Sequence, residues 1–402
     1  MTDINKIKPL CLSFRTPPAV RPQSILIGKM IPEWINQGLK PVIMTYQDNG
    51  KWQIDLPIYQ IEKLGINRYF NKIPFLKNFL EKKYYEKLFS LAKGIINKHQ
   101  INIVYSFSNP YASNILGAMI KEKLGIKFIS NFSDPWYDSP YQSFSPAEAK
   151  RVLNQERCII RNSDRVVFNN DVAKKLVMKK YPIEWQDKAL VIPHCYDRKD
   201  YPEVVRVRGN EFIFSHIGVF YPQRNPQFLL EAFKKLLEQK PELSEKTKIN
   251  FIGGAGNYTG YKIEDIKKLV ADYNLAGVVE ILPIVDYQES LRFMKLADCL
   301  IVIDADMVGS PFFPSKVVDY AGSGSLILGI TPTNSPTAEF LKNLGFQSFN
   351  YQQLDELVNY LKNLVTGEVR LIINNEFLNQ FDVKNTTAKL IRQFQEVLDL
   401  PR

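Results

Sequence analysis

Short apolar segments alternate with helical patterns along the chain, and this alternation restricts the possible folds more than any other feature. In the first half, the predicted strands are residues 9–14, 41–46, 101–107, 128–132 and 165–169, with a further one near 191–193. The helical patterns that separate these strands cover residues 24–37, 112–124 and 146–160. Strands that alternate with helices predict an α/β fold, in which a parallel sheet is covered by helices on both faces.

The alternation begins again after an irregular, charged segment at residues 197–210, which is a predicted interdomain linker. The predicted strands of the second half are residues 212–217, 248–252, 278–282, 299–303 and 326–330. The helical patterns between them cover residues 226–239, 263–273 and 287–296. Two such modules in 402 residues predict two Rossmann-like domains with parallel sheets that face each other across a cleft.

The predicted domain boundaries follow from this linker. Residues 1–205 form the predicted N-terminal domain, and residues 206–375 form the C-terminal domain. A last helical segment within 376–402 could pack back on either domain, and we expect it on the N-terminal one.

Composition excludes several classes of protein. With 45% apolar and 23% charged residues, the chain has the profile of a globular protein. Its four cysteines form no CxxC pair and its three histidines have no metal-ligand spacing, so neither a disulfide framework nor a metal site is expected. No apolar run reaches the length of a transmembrane helix, and the N-terminus does not resemble a signal peptide. The expected location is the cytoplasm, with a peripheral position on the inner face of the plasma membrane as an option.

Positive charge is concentrated in the first half. Residues 1–205 contain 31 Lys and Arg against 19 Asp and Glu, whereas the remainder contains 21 against 23. Such asymmetry predicts an anionic partner, which could be a nucleic acid, a membrane surface or a phosphorylated acceptor. Within residues 68–93, aromatic and lysine residues are interleaved, so this segment could lie on an anionic membrane. The alternative is an amphipathic helix whose aromatic side faces the core and whose lysines face solvent.

The segment from Pro314 to Thr331 has the pattern of a loop, a short helix and a buried strand. Ser315 is a predicted N-cap residue, and the backbone N–H groups beside it could bind a diphosphate. Asp319 lies four residues further along on the same face of the helix, where its carboxylate could accept both ribose hydroxyls of a nucleotide. The alternative is an ordinary strand-to-helix turn with a surface aspartate.

Other predicted strand ends carry residues that suit a nucleotide. Gly218 lets the backbone approach a ligand closely, and Arg224 suits a pyrophosphate. Gly253 and Gly254 begin a glycine-rich loop that could hold phosphate, and residues 283–285 could contact a base through their backbone groups. Loops of α/β proteins are rich in such residues for structural reasons alone. Their succession at the ends of neighbouring strands nevertheless favours a nucleotide site.

The segments HIGVFYPQRNPQFLLEAF, FIGGAG and FPSKVVDYAGSGSLILGI resemble the nucleotide-sugar domain of GT-B glycosyltransferases. The resemblance is to the family 4-like, retaining enzymes of bacterial polysaccharide assembly. RTPPAVRPQS and FISNFSDPW resemble segments of the acceptor-side domain of the same enzymes. The resemblance covers about residues 9–365 and is more specific in the second half.

This resemblance implies a glycosyltransferase of the hexosyltransferase type. It would move a sugar from a nucleotide-diphosphate sugar to a glycan or lipid-linked acceptor in cell-surface polysaccharide synthesis, with retention and without a metal or cofactor. Arg224 and Lys316 would act on the leaving diphosphate, and Asp134 in FSDPW would lie near the acceptor hydroxyl. Asp134 could instead form an Asx turn before Pro135.

The implied donor-binding residues come from the strand ends and from the start of the helix near Ser315. They are Gly218, Arg224, Asn225, Gly253, Gly254, Pro283, Val285, Pro314, Ser315, Lys316 and Asp319.

The chain departs from the family pattern in two places. The family has two glutamates separated by seven residues, but here Asp319 occupies the second position and Pro311 the first. Asn225 and Pro226 replace the Lys-Gly pair that usually follows the arginine. Both departures bear on the identity of the donor sugar and on turnover.

One acidic motif and two histidines are predicted to have no catalytic role. Asp304-Ala305-Asp306 matches a DxD metal motif, but that motif acts in a different glycosyltransferase fold and is interpreted here as a coincidence. His216 lies inside a predicted strand and is predicted to be a satisfied core residue, and His194 is predicted to be a linker residue.

Two alternatives to a transferase stay open. One is a GT-B nucleotide-sugar epimerase, although the cleft carboxylates and histidines that it needs are few here. The other is a non-catalytic module on a degenerate GT-B scaffold that binds membrane or nucleic acid, and nucleic acid is the less expected of the two. A nicotinamide dehydrogenase is not expected, because no GxGxxG motif follows the first strand.

Overall fold

The computed structural model describes residues 2–19, 21–47, 52–64, 74–204, 209–254, 260–370 and 372–401. By their internal contacts these residues form two units. The first combines Met1–Cys195 with Val383–Arg402, and the second is Tyr196–Asp382.

The first unit contains a parallel sheet in which seven strands are described. In chain order they are β1 (Pro9–Leu12), β2 (Val42–Tyr46), β3 (Ile58–Ile61), β4 (Ile103–Phe107), β5 (Lys127–Phe132), β6 (Arg165–Phe168) and β7 (Ala189–Val191). Their spatial order is β3-β2-β1-β4-β5-β6-β7, and every pairing is parallel. This is the doubly wound arrangement that the alternation predicted. Strand β3 was not predicted from the sequence, because only one of its four residues, Ile61, is buried.

Seven helices of the first unit are described. They are α1 (Pro22–Asn36), α2 (Pro74–His99), α3 (Ala112–Leu124), α4 (Pro146–Asn162), α5 (Asp171–Met178), α6 (Ile183–Gln186) and the C-terminal α14 (Val383–Asp399).

Helix α14 completes the core of the first unit. The ring of Phe394 packs edge-on against Trp34 of α1, with 5.5 Å between the centroids, and lies 5.8 Å from Tyr105 of β4. All three side chains are fully buried. The last helix therefore belongs structurally to the first unit, although its sequence follows the second.

The second unit contains a parallel sheet with six described strands. They are β8 (Phe212–Ile217), β9 (Thr247–Ile252), β10 (Val279–Leu282), β11 (Cys299–Ile303), β12 (Leu326–Ile330) and β13 (Gln347–Phe349). Their spatial order is β10-β9-β8-β11-β12-β13. The strand order thus reverses between β8 and β11, and a sheet of this kind offers a ligand crevice at the carboxyl ends of those two strands.

Seven helices of the second unit are described. They are α7 (Gln227–Gln239), α8 (Ile263–Asp272), α9 (Tyr287–Leu296), α10 (Ser315–Ser323), α11 (Pro336–Leu344), α12 (Leu354–Val365) and α13 (Asn375–Asn379). Helix α10 connects β11 to β12.

The segment predicted as a linker is partly integrated into the second unit. Tyr196 is fully buried there, and the Tyr201 hydroxyl donates a hydrogen bond of 2.6 Å to the backbone oxygen of Asp319 in α10. An added Cβ at Gly322 would lie 2.4 Å from the Tyr201 hydroxyl oxygen, so this contact requires glycine there. The unit border therefore falls at Cys195 rather than at residue 205, because these aromatic side chains pack on α10.

The basic, aromatic segment at residues 68–93 lies partly outside the described residues, since 65–73 are not described. From Pro74 onward it forms α2. Tyr84, Tyr85 and Phe89 pack against the core, whereas Phe79 is 45% exposed. The predicted aromatic core face thus accounts for three of the rings and leaves Phe79 outside. None of the helices in the described ranges is both long and apolar enough to cross a bilayer.

The contact between α14 and Trp34 leads to a stability prediction. Phe394→Ala should lower the free energy of unfolding of the first unit by about 3–5 kcal/mol, because it leaves a cavity beside Trp34. Lys389→Ala, on the exposed side of the same helix, should change it by less than about 0.5 kcal/mol. All four tryptophans lie in the first unit, so denaturant unfolding followed by tryptophan fluorescence measures this unit. Equal stability of the two variants would contradict the assignment of α14 to that core.

Candidate functional site

The candidate site lies where β8 and β11 end, at the reversal of strand order in the second unit. Gly218 follows β8 with a φ of +122°, a conformation that side chains strongly disfavour. Asp304 follows β11. Helix α10 begins eleven residues later, and its first turn carries Lys316.

Lys316 reaches from α10 to the end of β8. Its Nζ lies 2.8 Å from Nε2 of His216 and 3.5 Å from the backbone oxygen of Ile217. A Cβ added to Gly218 would lie 3.6 Å from the same Nζ, so the ammonium group rests against the glycine. Lys316 keeps some exposed surface overall, but its charged end is held against buried groups.

The position of this ammonium group changes its acidity. Burial lowers the pKa of Lys316 from its ordinary value to about 7, and the positive charge of Arg224 acts in the same direction. The negative charge of Asp304 opposes both. The amine therefore changes its charge near neutral pH, in contrast to an exposed lysine.

His216 is neutral and accepts from this ammonium group. Its residue is 2% exposed, and its ring stacks on Phe220 with 4.2 Å between the centroids. Burial, followed by the charge of Lys316, holds the pKa of His216 well below its usual value. Nδ1 of the ring is buried and has no hydrogen-bond partner among the residues that the structure describes. The prediction of a satisfied core histidine is thus wrong. Nε2 accepts a hydrogen bond from Lys316, but Nδ1 has no partner among the described residues.

Arg224 supplies the second positive charge of the site. It closes a turn with Tyr221, whose backbone oxygen accepts from the Arg224 N–H at 2.9 Å. The guanidinium lies over the Phe312 ring, 5.6 Å from its centroid, a cation–π distance. Asn225 uses its side chain in the same turn, where Oδ1 accepts from the Gln227 N–H and Nδ2 donates to the Pro222 oxygen.

Asp304 is an acidic residue whose charge interacts with both of these cations. Its residue is 1% exposed, and within the described part of the chain neither carboxylate oxygen has a hydrogen-bond partner. Burial raises its pKa, while Arg224, the Thr337 hydroxyl and Lys316 act to lower it. From the sequence, Asp304 was interpreted as part of a coincidental DxD motif. Its place directly after β11, beside the reversal, was the signal that could have identified it.

The start of α10 differs from the prediction. Pro314 occupies the N-cap position in an extended conformation, and Ser315 is the first helical residue rather than the N-cap. Within the described part of the chain, no side-chain hydrogen bond caps this helix. Pro314 takes the N-cap position because its fixed φ suits the extended residue before a helix. The N–H that proline lacks is not needed at that position. The first-turn N–H groups are thus not capped by the Ser315 hydroxyl.

Asp319 is buried on α10 rather than a surface aspartate, with 4% of the residue exposed. The Tyr287 hydroxyl donates to its Oδ1 at 3.5 Å. Tyr287 begins α9, directly after the loop that contains Pro283 and Val285, so this contact ties the predicted base-binding loop to the predicted ribose-binding residue. Pro283 is exposed and Val285 is partly buried.

The two glycines after β9 lie beside Gly218. Gly253 has a φ of +87°, and a Cβ there would lie 3.7 Å from Cα of Gly218. The Gly254 oxygen accepts from the Phe220 N–H at 2.7 Å. The rest of the predicted glycine-rich loop, residues 255–259, lies outside the described residues.

Asp134 belongs to the first unit, whereas the other predicted site residues belong to the second. It follows β5, and its Oδ2 accepts from Nδ2 of Asn109 at 3.4 Å. Its backbone oxygen accepts from the Tyr111 hydroxyl at 2.5 Å. The structure therefore holds Asp134 through both its carboxylate and its backbone.

The structure brings together Gly218, Gly253, Arg224 and Lys316 of the predicted site and adds His216 and Asp304 to them. Across the described ranges, no three His, Cys, Asp or Glu side chains are grouped as metal ligands. In the DxD segment, Asp304 is buried and Asp306 is exposed.

No family model matches this chain. It is similar to two proteins named D-inositol 3-phosphate glycosyltransferase. One, from Streptomyces scabiei, is 26% identical over 192 residues, which are 43% of each chain. The other, from a Nocardioides species, is 22% identical over 237 residues, which are 52% of each chain. The chain thus spans about half the length of the curated relatives that it matches.

Solved structures extend the similarity to the whole chain. Sucrose-phosphate synthase from Thermosynechococcus elongatus superposes with a TM-score of 0.73 at 14% identity, covering 98% of this chain and 99% of that one. The chain has the GT-B fold. HepE from Anabaena, solved with UDP, gives a TM-score of 0.65 at 12% identity over 97% of this chain and 100% of its own. The resemblance to GT-B glycosyltransferases found in the sequence is thereby confirmed.

Proposed function

We propose that this GT-B protein is a glycosyltransferase that uses a nucleotide-diphosphate sugar as donor. One observation carries the proposal, namely that Arg224 and Lys316 place two cations at the reversal point between β8 and β11, beside the first turn of α10. Oriented backbone N–H groups and positive side chains are the groups that bind a diphosphate. The names of the relatives and the complexes of the structural neighbours with UDP support this substrate class.

The chemistry of transfer requires stabilisation of the leaving nucleoside diphosphate. Negative charge grows on its oxygen as the bond to the sugar breaks, so preorganised cations lower the barrier. Arg224 and Lys316 supply that charge in this proposal, and the dipole of α10 adds to it. We propose that the reaction needs no metal and retains the configuration of the sugar, as the resemblance to family 4-like enzymes implies.

The ribose would bind Asp319, and Gly218 and Gly253 would let the backbone approach the diphosphate. Structural neighbours were solved with UDP-glucose and with UDP-2-fluoro glucose, which makes UDP-glucose the first donor to test. We propose a glycan or lipid-linked acceptor in cell-surface polysaccharide synthesis, with Asp134 near the acceptor hydroxyl.

Contact with an anionic membrane would suit a lipid-linked acceptor. Phe79 of α2 is exposed, and the Lys83 ammonium lies over its ring at 4.6 Å from the centroid. An exposed ring beside lysines can enter the headgroup layer while the lysines meet anionic lipids. We therefore propose α2 as the membrane-contacting element of a cytoplasmic, peripheral enzyme.

The non-catalytic alternative predicts a different behaviour with substrates. A binding module on this scaffold would hold a nucleotide sugar without turnover, whereas a transferase releases nucleoside diphosphate when an acceptor is present. We favour the transferase because Arg224 and Lys316 could stabilise the negative charge that develops on a leaving diphosphate, and because the relatives are named glycosyltransferases.

The donor site gives a binding prediction. UDP-glucose should raise the melting temperature of the wild-type protein, and Asp319→Ala and Arg224→Ala should each weaken its affinity about tenfold to a hundredfold, since each removes a charge-assisted contact. Asp306→Ala, which removes an exposed carboxylate from the same unit, is the matched control and should bind like the wild type. Thermal shift and calorimetry measure both effects. If no UDP-, GDP-, ADP- or TDP-sugar binds to the folded protein, the transferase proposal is wrong.

The membrane proposal is tested with vesicles. Wild-type protein should float with vesicles that contain phosphatidylglycerol and not with neutral ones, and salt should release it. Lys82→Glu with Lys83→Glu should abolish flotation, while Lys267→Glu, on an exposed position of α8, should leave it unchanged. Equal flotation of both variants would contradict a role for α2.

A further inference from the structure

A buried carboxylate without a hydrogen-bond partner normally costs stability, because it leaves water and gains nothing in return. Asp304 comes close to this case, since among the described residues neither Oδ1 nor Oδ2 has a partner in ordinary hydrogen-bond geometry, and the Thr337 hydroxyl acts on the carboxylate from outside that geometry. Its backbone is fully engaged, as its N–H donates to the Ile330 oxygen at 2.9 Å and its oxygen accepts from the Tyr351 hydroxyl. The backbone at Asp304 is therefore held at the ends of β11 and β12, and its side chain is buried there.

The surroundings of Asp304 explain why a charge is held there. Strand β11 pairs in parallel with β8, so Asp304, directly after β11, follows the strand beside the end of β8, where the Lys316 ammonium group rests against Gly218. In agreement with this placement, the charge of Asp304 acts on Lys316 against the effects of burial and of Arg224. Charges interact over longer distances in a buried, weakly polarisable environment than in water, so direct contact is not needed. Asp304 is the internal counter-charge to two cations that would otherwise repel each other.

We propose that Asp304 is a positioning residue whose buried carboxylate keeps the Lys316 ammonium group charged and in place for an incoming diphosphate. This role rests on the proposed function, since it concerns the same donor site. Asp304 does not touch the ligand in this proposal and acts through Lys316. Its carboxylate thus acts on the charge of Lys316 and does not contact the diphosphate.

The groups that face Lys316 fix the direction of the effect. They are His216 of β8, Arg224 in the turn after β8 and Asp304 after β11. His216 stays neutral and Arg224 stays positive across the physiological range, so Asp304 is the member of this set whose charge favours a protonated Lys316. Without that charge, Lys316 loses its proton at a lower pH.

We therefore expect the effect of Asp304→Asn on the affinity for UDP-glucose to depend on pH. UDP-glucose is a suitable probe, because its diphosphate carries the same charge from pH 5.5 to 8.5. At pH 5.5 we expect Lys316 to be protonated in both the wild type and Asp304→Asn. The variant should then bind UDP-glucose as well as the wild type or better, because it has lost a negative charge near the diphosphate site. At pH 8.5 the variant should bind about tenfold more weakly, because less of its Lys316 is charged. A variant that is merely distorted would bind more weakly at both values.

The experiment combines this binding profile with a direct titration of Lys316. Protein labelled with ¹³C at lysine Cε is titrated by NMR without nucleotide, and Lys316→Arg identifies the Lys316 resonance by its loss. The midpoint for Lys316 should move to lower pH in Asp304→Asn and stay unchanged in Asp306→Asn, which removes an exposed carboxylate two residues away. In a Lys316→Arg background, Asp304→Asn should no longer change the pH dependence of UDP-glucose binding, because arginine stays charged.

Each outcome decides the proposal. A Lys316 midpoint that is the same in wild type and in folded Asp304→Asn overturns it, and so does equal loss of binding at pH 5.5 and 8.5. A shifted midpoint in a protein that binds no nucleotide sugar would support the electrostatic role of Asp304 and contradict the donor site. The two proposals therefore fail separately.

Discussion

The candidate site depends on one interaction, the contact of the Lys316 ammonium group with His216 at the end of β8. It joins the first turn of α10 to the strand beside the reversal point, and it holds a positive charge in a place where burial opposes it. Gly218 is favoured beside it because its φ of +122° lies in a region that residues with side chains rarely adopt. The other groups, Arg224 and Asp304, matter through their effect on this charge. The site thus depends on the charge of Lys316, which burial and Arg224 oppose and Asp304 favours.

Much of the fold could be predicted from the sequence, and the reason lies in burial. The strands at Phe212–Ile217, Cys299–Ile303 and Leu326–Ile330 have the bounds that their apolar runs predicted, since both faces of a parallel strand are covered. Strand β3 was missed because most of its side chains are only partly buried or exposed. The linker is partly integrated into the second unit because Tyr201 within it and Tyr196 just before it pack on α10, a contact between distant positions in the chain.

The candidate site was predictable only in part. Gly218, Arg224 and Lys316 were recognisable because glycine and cations at strand ends are typical of phosphate sites. The contact between His216 and Lys316 joins positions one hundred residues apart, and no local pattern encodes it. Asp304 resembled a loop aspartate, since burial cannot be inferred from a single acidic residue at the end of a strand. The N-cap at Ser315 was misassigned because Pro314 takes that position.

The central claim is that the two cations at the reversal point form the donor site of a glycosyltransferase. A crystal structure of the protein with UDP-glucose tests it most directly. The account predicts the diphosphate beside Arg224 and Lys316 at the first turn of α10, with the ribose hydroxyls on Asp319. A nucleotide bound elsewhere on the second unit, with Lys316 still on His216 and no ligand near it, would contradict the account.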